Sequence, residues 1–361
     1  MKKSGKTICF TGGGTLGHVM PNLYLAEELG EHRLMYIGTD GIEKDRVKQS
    51  GIEYFEISAT KLRRGKVFVN LRVPFELVRA IKQAKKILKE QKPDLIVSKG
   101  GFVALPVCIA ARKLRIPIIS HESDYSFGLA NKIILHFSNI MCVNYEHLAN
   151  KKKNIIYTGP VISNAFKYSN IKANIKLDID VNKSTILIIG GSSGSKAINQ
   201  AVWDGLDKLC ERYNVIHLTG KGNLSKNKAV NYNQIEITDN VPYLMSISDL
   251  IVGRAGAGVV FECAYMHKPM LLIPLQNGQS RGDQVQNAGY FYNLGCARIL
   301  EEFKLSASTL LKSIELTLAN IKEMISCLKK LDLSSGKEKM LKLINEQLNK
   351  NMYVNKKRSR S

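Results

Sequence analysis

Apolar residues fall along this chain in short runs, each closed by glycine, proline or a polar stretch. In the first half the runs are Ile8–Phe10, Leu34–Ile37, Leu95–Val97, Pro117–Ile119 and Ile140–Val143. Runs this short, with helical periodicity between them, read as buried strands alternating with helices. Asn22–Leu29, closed by Gly30, is one such helix. Ile155–Thr158 followed by Gly159-Pro160 reads as a last strand and a hinge. The lysine-rich stretch Lys167–Lys183 then leads to strands at Thr185–Ile189, Val215–Leu218, Leu250–Val252 and Met270–Ile273, with another near Ile237. The alternation predicts an α/β protein with a parallel sheet in each half and helices on both sheet faces. The boundaries are expected at 1–162, 163–347 and a basic tail at 348–361 that ends KKRSRS. No short internal repeat is present; the likeness of the halves is architectural.

Two places combine this pattern with chemistry. At Lys6–Pro21, KTICFTGGGTLGHVMP, a strand breaks into glycines and resumes with helical character. The same event recurs at Thr185–Ser195, TILIIGGSSGS. One such unit opening each half predicts two nucleotide-fold domains facing one cleft, in an enzyme joining two substrates, one of them phosphorylated. Gly12, Gly14 and Gly17 fit G-x-G-x-x-G, whose backbone N–H groups approach a phosphate at a helix start. A dinucleotide fold also needs an acidic residue at the end of the next strand. Asp40 is only approximately so placed, which counts against a nicotinamide cofactor. His18 follows the last glycine; a helix start weakens an imidazole's hold on its proton, so His18 reads as a neutral base or as a residue bonded to nearby backbone.

The loop Gly190–Ser195 offers serine hydroxyls and N–H groups, as a phosphate cradle or a plain turn would. A third loop, Gly253–Gly258, follows the strand Leu250–Val252 and precedes the helix Val259–Tyr265. Its small residues let a diphosphate sit against the helix start. Glu262, one turn further in, is placed either to accept both hydroxyls of a ribose or to complement the helix dipole.

Composition narrows the partners. The formal net charge is +22, which favours a nucleic acid, a membrane surface or a phosphorylated substrate. Seven scattered cysteines without a C-x-x-C pair read as reduced core residues of a cytosolic protein, with no structural zinc. Met1–Gly5 is polar and Thr7–Phe10 too short for a signal core, and no run reaches the ~18 apolar residues of a membrane span. Asp178-Ile179-Asp180 matches the Asp-x-Asp of metal-dependent sugar transferases, but in a linker ahead of a strand, where it reads as incidental. No metal or cofactor is expected.

In order, the blocks TGGGTLGH, HESDYSFGLANKI, GGSSGSKAIN, GRAGAGVVFE and SRGDQVQNA resemble the bacterial peptidoglycan N-acetylglucosaminyltransferase (MurG) family, over nearly the whole chain. The resemblance implies a GT-B fold of two Rossmann-like domains. It implies inverting, metal-independent transfer of N-acetylglucosamine from UDP-N-acetylglucosamine to the 4-hydroxyl of the muramic acid in lipid I, giving lipid II. By the same match, His18 is the general base. Thr15, Leu16, Gly17, Asp124, Ser163, Ser192, Val241, Ala257, Gly258, Val259, Val260, Phe261, Glu262, Asp283 and Gln284 meet the donor. The family usually has an arginine where Ser163 stands, and Arg254 is a cation that could replace it.

An acceptor with a polyprenyl chain requires contact with a bilayer. On a helix over Leu71–Glu90, Leu71 and Phe75 fall with Arg79, Lys82, Lys86 and Lys89, opposite the face that reads as core. Apolar residues among cations suit an anionic membrane surface. Lys61, Arg63, Arg64 and Lys66 extend the patch. The expected location is the cytoplasmic face of the bacterial membrane, peripherally bound. The alternatives are another GT-B enzyme (a UDP-sugar epimerase or a glycolipid synthase) and a basic nucleic-acid-binding protein, which leaves both glycine loops unexplained. Protein partners are not legible.

Overall fold

The structure, a computed structural model, describes residues 5–60, 73–150, 152–167, 175–276 and 281–358. It comprises two compact units, Met1–Ile162 with Ser335–Ser361, and Ser163–Ser334.

The first unit carries strands β1 (Thr7–Thr11), β2 (Arg33–Gly38), β3 (Glu53–Glu56), β4 (Leu95–Ser98), β5 (Ile118–Glu122), β6 (Ile140–Val143) and β7 (Ile155–Tyr157). They form one parallel sheet in the order β3-β2-β1-β4-β5-β6-β7. The central strands are buried on both faces, which is why they read as short continuous apolar runs. The helix Val73–Gln91 packs on the helix Gly101–Lys113 and buries Ala80, Ala84 and Leu88, its i, i+4, i+8 stripe.

The second unit carries β8 (Thr185–Ile189), β9 (Asn214–Leu218), β10 (Tyr232–Ile235), β11 (Leu250–Gly253), β12 (Met270–Leu272) and β13 (Ala297–Ile299). These are again all parallel, in the order β10-β9-β8-β11-β12-β13. Its core joins Ile186, Ile188 and Val252 of the sheet to Ile198, Val202, Leu310 and Ile314 of the helices.

Four expectations need correction. The segment 335–347 belongs with the first unit, and residues 348–358 of the expected basic tail continue one helix, Gly336–Arg358. Met340, Ile344 and Leu348, one helical stripe, enter the core beside Leu23 and Val161. Lys337, only 5% exposed, pairs with Glu28 at 2.8 Å. Second, the first glycine loop leads into a 3-10 turn, Leu16–His18, and the α-helix after it runs Met20–Ala26 in place of Asn22–Leu29. Third, β3 and β13 went unread, and the strand expected near Ile237 lies at Tyr232–Ile235. Fourth, the third loop's helix begins at Ala257, two residues early.

Candidate active site

In each sheet the strand order reverses at one point, between β1 and β4 and between β8 and β11. Loops leaving the carboxyl ends of such strands frame the crevice where ligands bind in open parallel sheets. The glycine-rich loops leave at these two points.

In the second unit, β8 runs into Gly190–Ser195 and β11 into Gly253–Gly256, and each loop feeds a nine-residue helix, Lys196–Asp204 or Ala257–Tyr265. Gly194 has φ of +72°, and a Cβ there would stand 2.0 Å from the Thr219 carbonyl oxygen, so the turn admits only glycine. The Ser195 hydroxyl caps its helix by accepting from the Ile198 N–H at 3.4 Å. Against both helix starts lies a pocket of about 510 Å³, with Gly190, Gly191, Ser195, Gly256, Val259 and Gln284 in its wall. The first-turn N–H groups of a helix lack partners within it, and the helix dipole adds positive potential, so two converging helix starts make an anion site.

Of the expected donor residues, Val259 and Gln284 line this pocket. The Gln284 Oε1 accepts from the Leu275 N–H at 3.1 Å, which fixes its amide in the wall. Gly258 is exposed at the helix start, whereas Ala257, Val260 and Phe261 are buried, Phe261 packing edge-on against Phe291. Asp283 pairs with Arg281 at 3.6 Å. Ser192 and Val241 are half-buried, the latter opening the helix Val241–Ser246. Glu262 is half-buried one turn inside its helix, and desolvation pushes its carboxyl up to about 7.

The missing arginine is not replaced in the expected way. The Ser163 hydroxyl accepts from the Ala165 N–H at 3.2 Å and caps the 3-10 turn Asn164–Phe166. Arg254 spends its guanidinium on the protein: it donates to the Ile273 carbonyl at 3.0 Å and the Ser195 hydroxyl at 2.7 Å, and it pairs with Glu302. Asp178 and Asp180 accept from Asn231 and Asn182 backbone N–H groups at 3.0 Å each, ahead of β8 and so at the opposite end of the sheet from the pocket.

In the first unit, the His18 Nδ1 lies 3.2 Å from the Thr15 hydroxyl. The imidazole packs on the backbone of Gly101 (φ +80°), where a Cβ would sit 3.4 Å from Nδ1. Thr15 and Gly17 are exposed and Leu16 half-buried on the same loop. The fully buried Glu43 carboxylate accepts from the Gly14 N–H at 3.1 Å and the Thr39 N–H at 3.0 Å. A protein carboxylate thus holds an amide that a dinucleotide phosphate would use, and Asp40 turns outward to Lys44 at 2.6 Å.

Next to this loop is a group that sequence reasoning missed. Lys99 follows β4 and is 2% exposed, its ammonium donating to the Ser123 hydroxyl at 2.7 Å. Burial pushes Lys99 down to about 8, against the pull of Glu122 and Asp124. Glu122 in turn accepts from the Asp124 and Gly128 N–H groups and from Asn131 Nδ2, at 3.0 Å each, which fixes the loop carrying Asp124. The only sequence signal was a lone lysine between an apolar strand and two glycines.

On the helix Val73–Gln91, Phe75 is 80% exposed and Val78 52%, beside exposed Arg79, Lys82, Lys86 and Lys89. Leu71, Lys61, Arg63, Arg64 and Lys66 lie outside the described residues. No helix among the described residues is long and apolar enough to cross a membrane.

Comparison with known proteins agrees with this geometry. Residues 8–142 match the glycosyltransferase family 28 N-terminal domain and residues 185–346 the family 28 C-terminal domain. The chain is 43% identical over 330 residues to the UDP-N-acetylglucosamine–N-acetylmuramyl-(pentapeptide) pyrophosphoryl-undecaprenol N-acetylglucosamine transferase of Clostridium botulinum (strain Alaska E43 / Type E3), covering 89% of this chain and 92% of that one. It is 42% identical to the same-named enzyme of the Hall strain of that species, covering 94% and 98%. The crystal structure of Acinetobacter baumannii MurG shares the fold, with a TM-score of 0.72 at 23% identity, covering 95% of this chain and 99% of that one. With both family domains in sequence order and this identity over nearly its full length, the chain belongs to glycosyltransferase family 28, among the peptidoglycan N-acetylglucosaminyltransferases.

Proposed function

We propose that this chain moves N-acetylglucosamine from UDP-N-acetylglucosamine to lipid I, forming lipid II with inversion at the anomeric carbon. The observation that carries the reading is the second-unit pocket, walled by two helix starts and Gln284. Such a pocket suits a sugar diphosphate: the helix starts receive negative charge as the bond from the anomeric carbon to the phosphate oxygen breaks and its electron pair leaves with UDP. Glu262 holds the ribose hydroxyls, with Ser192, Val241, Ala257, Gly258, Val259, Val260, Phe261 and Asp283 around the nucleotide. His18 takes the proton of the acceptor hydroxyl as its oxygen attacks; Thr15, Leu16, Gly17, Asp124 and Ser163 complete the donor contacts.

The exposed Phe75 and Val78 among Arg79, Lys82 and Lys86 support docking on an anionic membrane surface, where the polyprenyl acceptor resides. Each such cation contributes about 1 kcal/mol near an anionic leaflet, enough in combination for reversible peripheral binding. The test is transfer of radiolabelled sugar from UDP-N-acetylglucosamine to lipid I by the purified protein. Label appearing in lipid II is expected; free N-acetylmannosamine or UDP-N-acetylmannosamine as the product would point to an epimerase instead.

A further inference from the structure

The pocket assigned to the donor diphosphate contains a carboxylate. Arg254 and Glu302 both line it, pair with one another and are 12% and 13% exposed. A guanidinium alone in an anion pocket would be the natural partner of a diphosphate. Here it is committed. Its other bonds go to the Ile273 carbonyl, at the end of β12, and to the Ser195 hydroxyl, which caps the helix Lys196–Asp204. Glu302 comes from the 3-10 turn after β13, so one ion pair ties the carboxyl ends of four strands, β8, β11, β12 and β13. The second carboxylate oxygen, Glu302 Oε2, is buried without a hydrogen-bond partner among the described residues. A buried carboxylate left half-satisfied beside an anion site opposes the anion it borders.

We infer that Arg254 is a positioning residue that holds Ser195 and its helix start in place, while Glu302 cancels the guanidinium charge so that the nucleoside diphosphate is gripped weakly enough to leave. The diphosphate then meets backbone N–H groups and Lys196, the other cation in the wall. Attraction to a free guanidinium would favour bound UDP product as much as the breaking bond, and would slow turnover. The inference rests on the donor reading of this pocket.

Calorimetric affinities for UDP and UMP test it, at low and moderate salt. Glu302→Gln keeps the shape and one hydrogen bond to Arg254 but frees its charge. UDP affinity is expected to rise about tenfold with a steeper salt dependence, UMP affinity to rise less, and product inhibition by UDP to tighten. Arg254→Met, leaving Glu302 unpaired, is expected to lower UDP affinity about tenfold or more. The double variant Arg254→Met/Glu302→Met removes both charges and is expected to bind UDP more tightly than Arg254→Met alone, recovering the electrostatic part of the loss but not the part due to the freed Ser195 cap. UDP affinity unchanged or weakened in Glu302→Gln, or no recovery in the double variant, overturns the inference alone. Failure of the unaltered protein to bind UDP overturns the donor reading and this inference together.

Discussion

Asn287 Nδ2 donates to the Ala255 carbonyl at 3.2 Å, joining two sequence blocks that lie 32 residues apart. Asn287 is fully buried, so this bond fixes the loop between β11 and the helix at Ala257–Tyr265 from behind. Asn287→Ala leaves a buried carbonyl short of a partner, at a cost of about 1–3 kcal/mol. A lowered unfolding midpoint together with a raised donor KM is expected. A lowered midpoint with unchanged KM would separate Asn287 from the site.

Glu262 gives a proton-linked signature. With its carboxyl at about 7, it is partly protonated at neutral pH. Ribose hydroxyls donating to it favour the charged form, so UDP binding at pH 7 should release a fraction of a proton. Calorimetry in buffers of different ionisation enthalpy measures this release. Glu262→Gln should abolish it and weaken UDP; release that persists in the variant would move the ribose contact elsewhere.

His18→Ala should lower turnover by about a hundredfold or more, the usual scale for a lost general base, while UDP affinity stays within about twofold. A defect confined to donor affinity would contradict the role of His18.

For the exposed face of the helix Val73–Gln91, the variant Phe75→Glu/Val78→Glu should bind anionic vesicles less tightly at unchanged circular dichroism. Neither side chain is in the core, so the fold should survive. Unaltered vesicle sedimentation would remove this face from the membrane reading.

His217 predicts acid sensitivity in the second unit. It is fully buried, bonded through Nδ1 to the Tyr232 hydroxyl at 2.9 Å and through Nε2 to Asn199 at 3.1 Å, and desolvation pushes it down to about 4. Between the unfolded value, about 6.5, and this one, the unfolded chain binds a proton that the folded chain refuses. Stability from this group is therefore complete above about pH 6.5 and declines as pH falls to 4, by about 3 kcal/mol in all. Urea unfolding at pH 7 and 4.5 should show His217→Gln less stable overall but with a smaller acid loss; an equal acid loss would assign the sensitivity to other groups, His121 among them.

The strands buried on both faces were legible because nothing polar interrupts them, as in TILII of β8. β3 (EYFE) and β13 (ARI) were not, because each is a sheet edge with one neighbour and few apolar positions. The glycine loops were legible as turns, but their occupants were not. That Glu43 fills the first loop, or that Arg254 is claimed by Glu302, depends on residues 29 and 48 positions away. The place of Met340, Ile344 and Leu348 was not legible either, since an apolar stripe does not name the sheet it covers.

That last helix sets an order of events during synthesis. Residues 163–334 build the second unit from one uninterrupted stretch of chain. The first unit, although translated earlier, lacks Met340, Ile344, Leu348 and the partner of Glu28 until the final segment emerges. The core of the first-made unit therefore closes only when the last-made helix arrives, and shortening the chain from that end would strip apolar cover from Leu23 and Val161 while leaving every residue of the second unit in place.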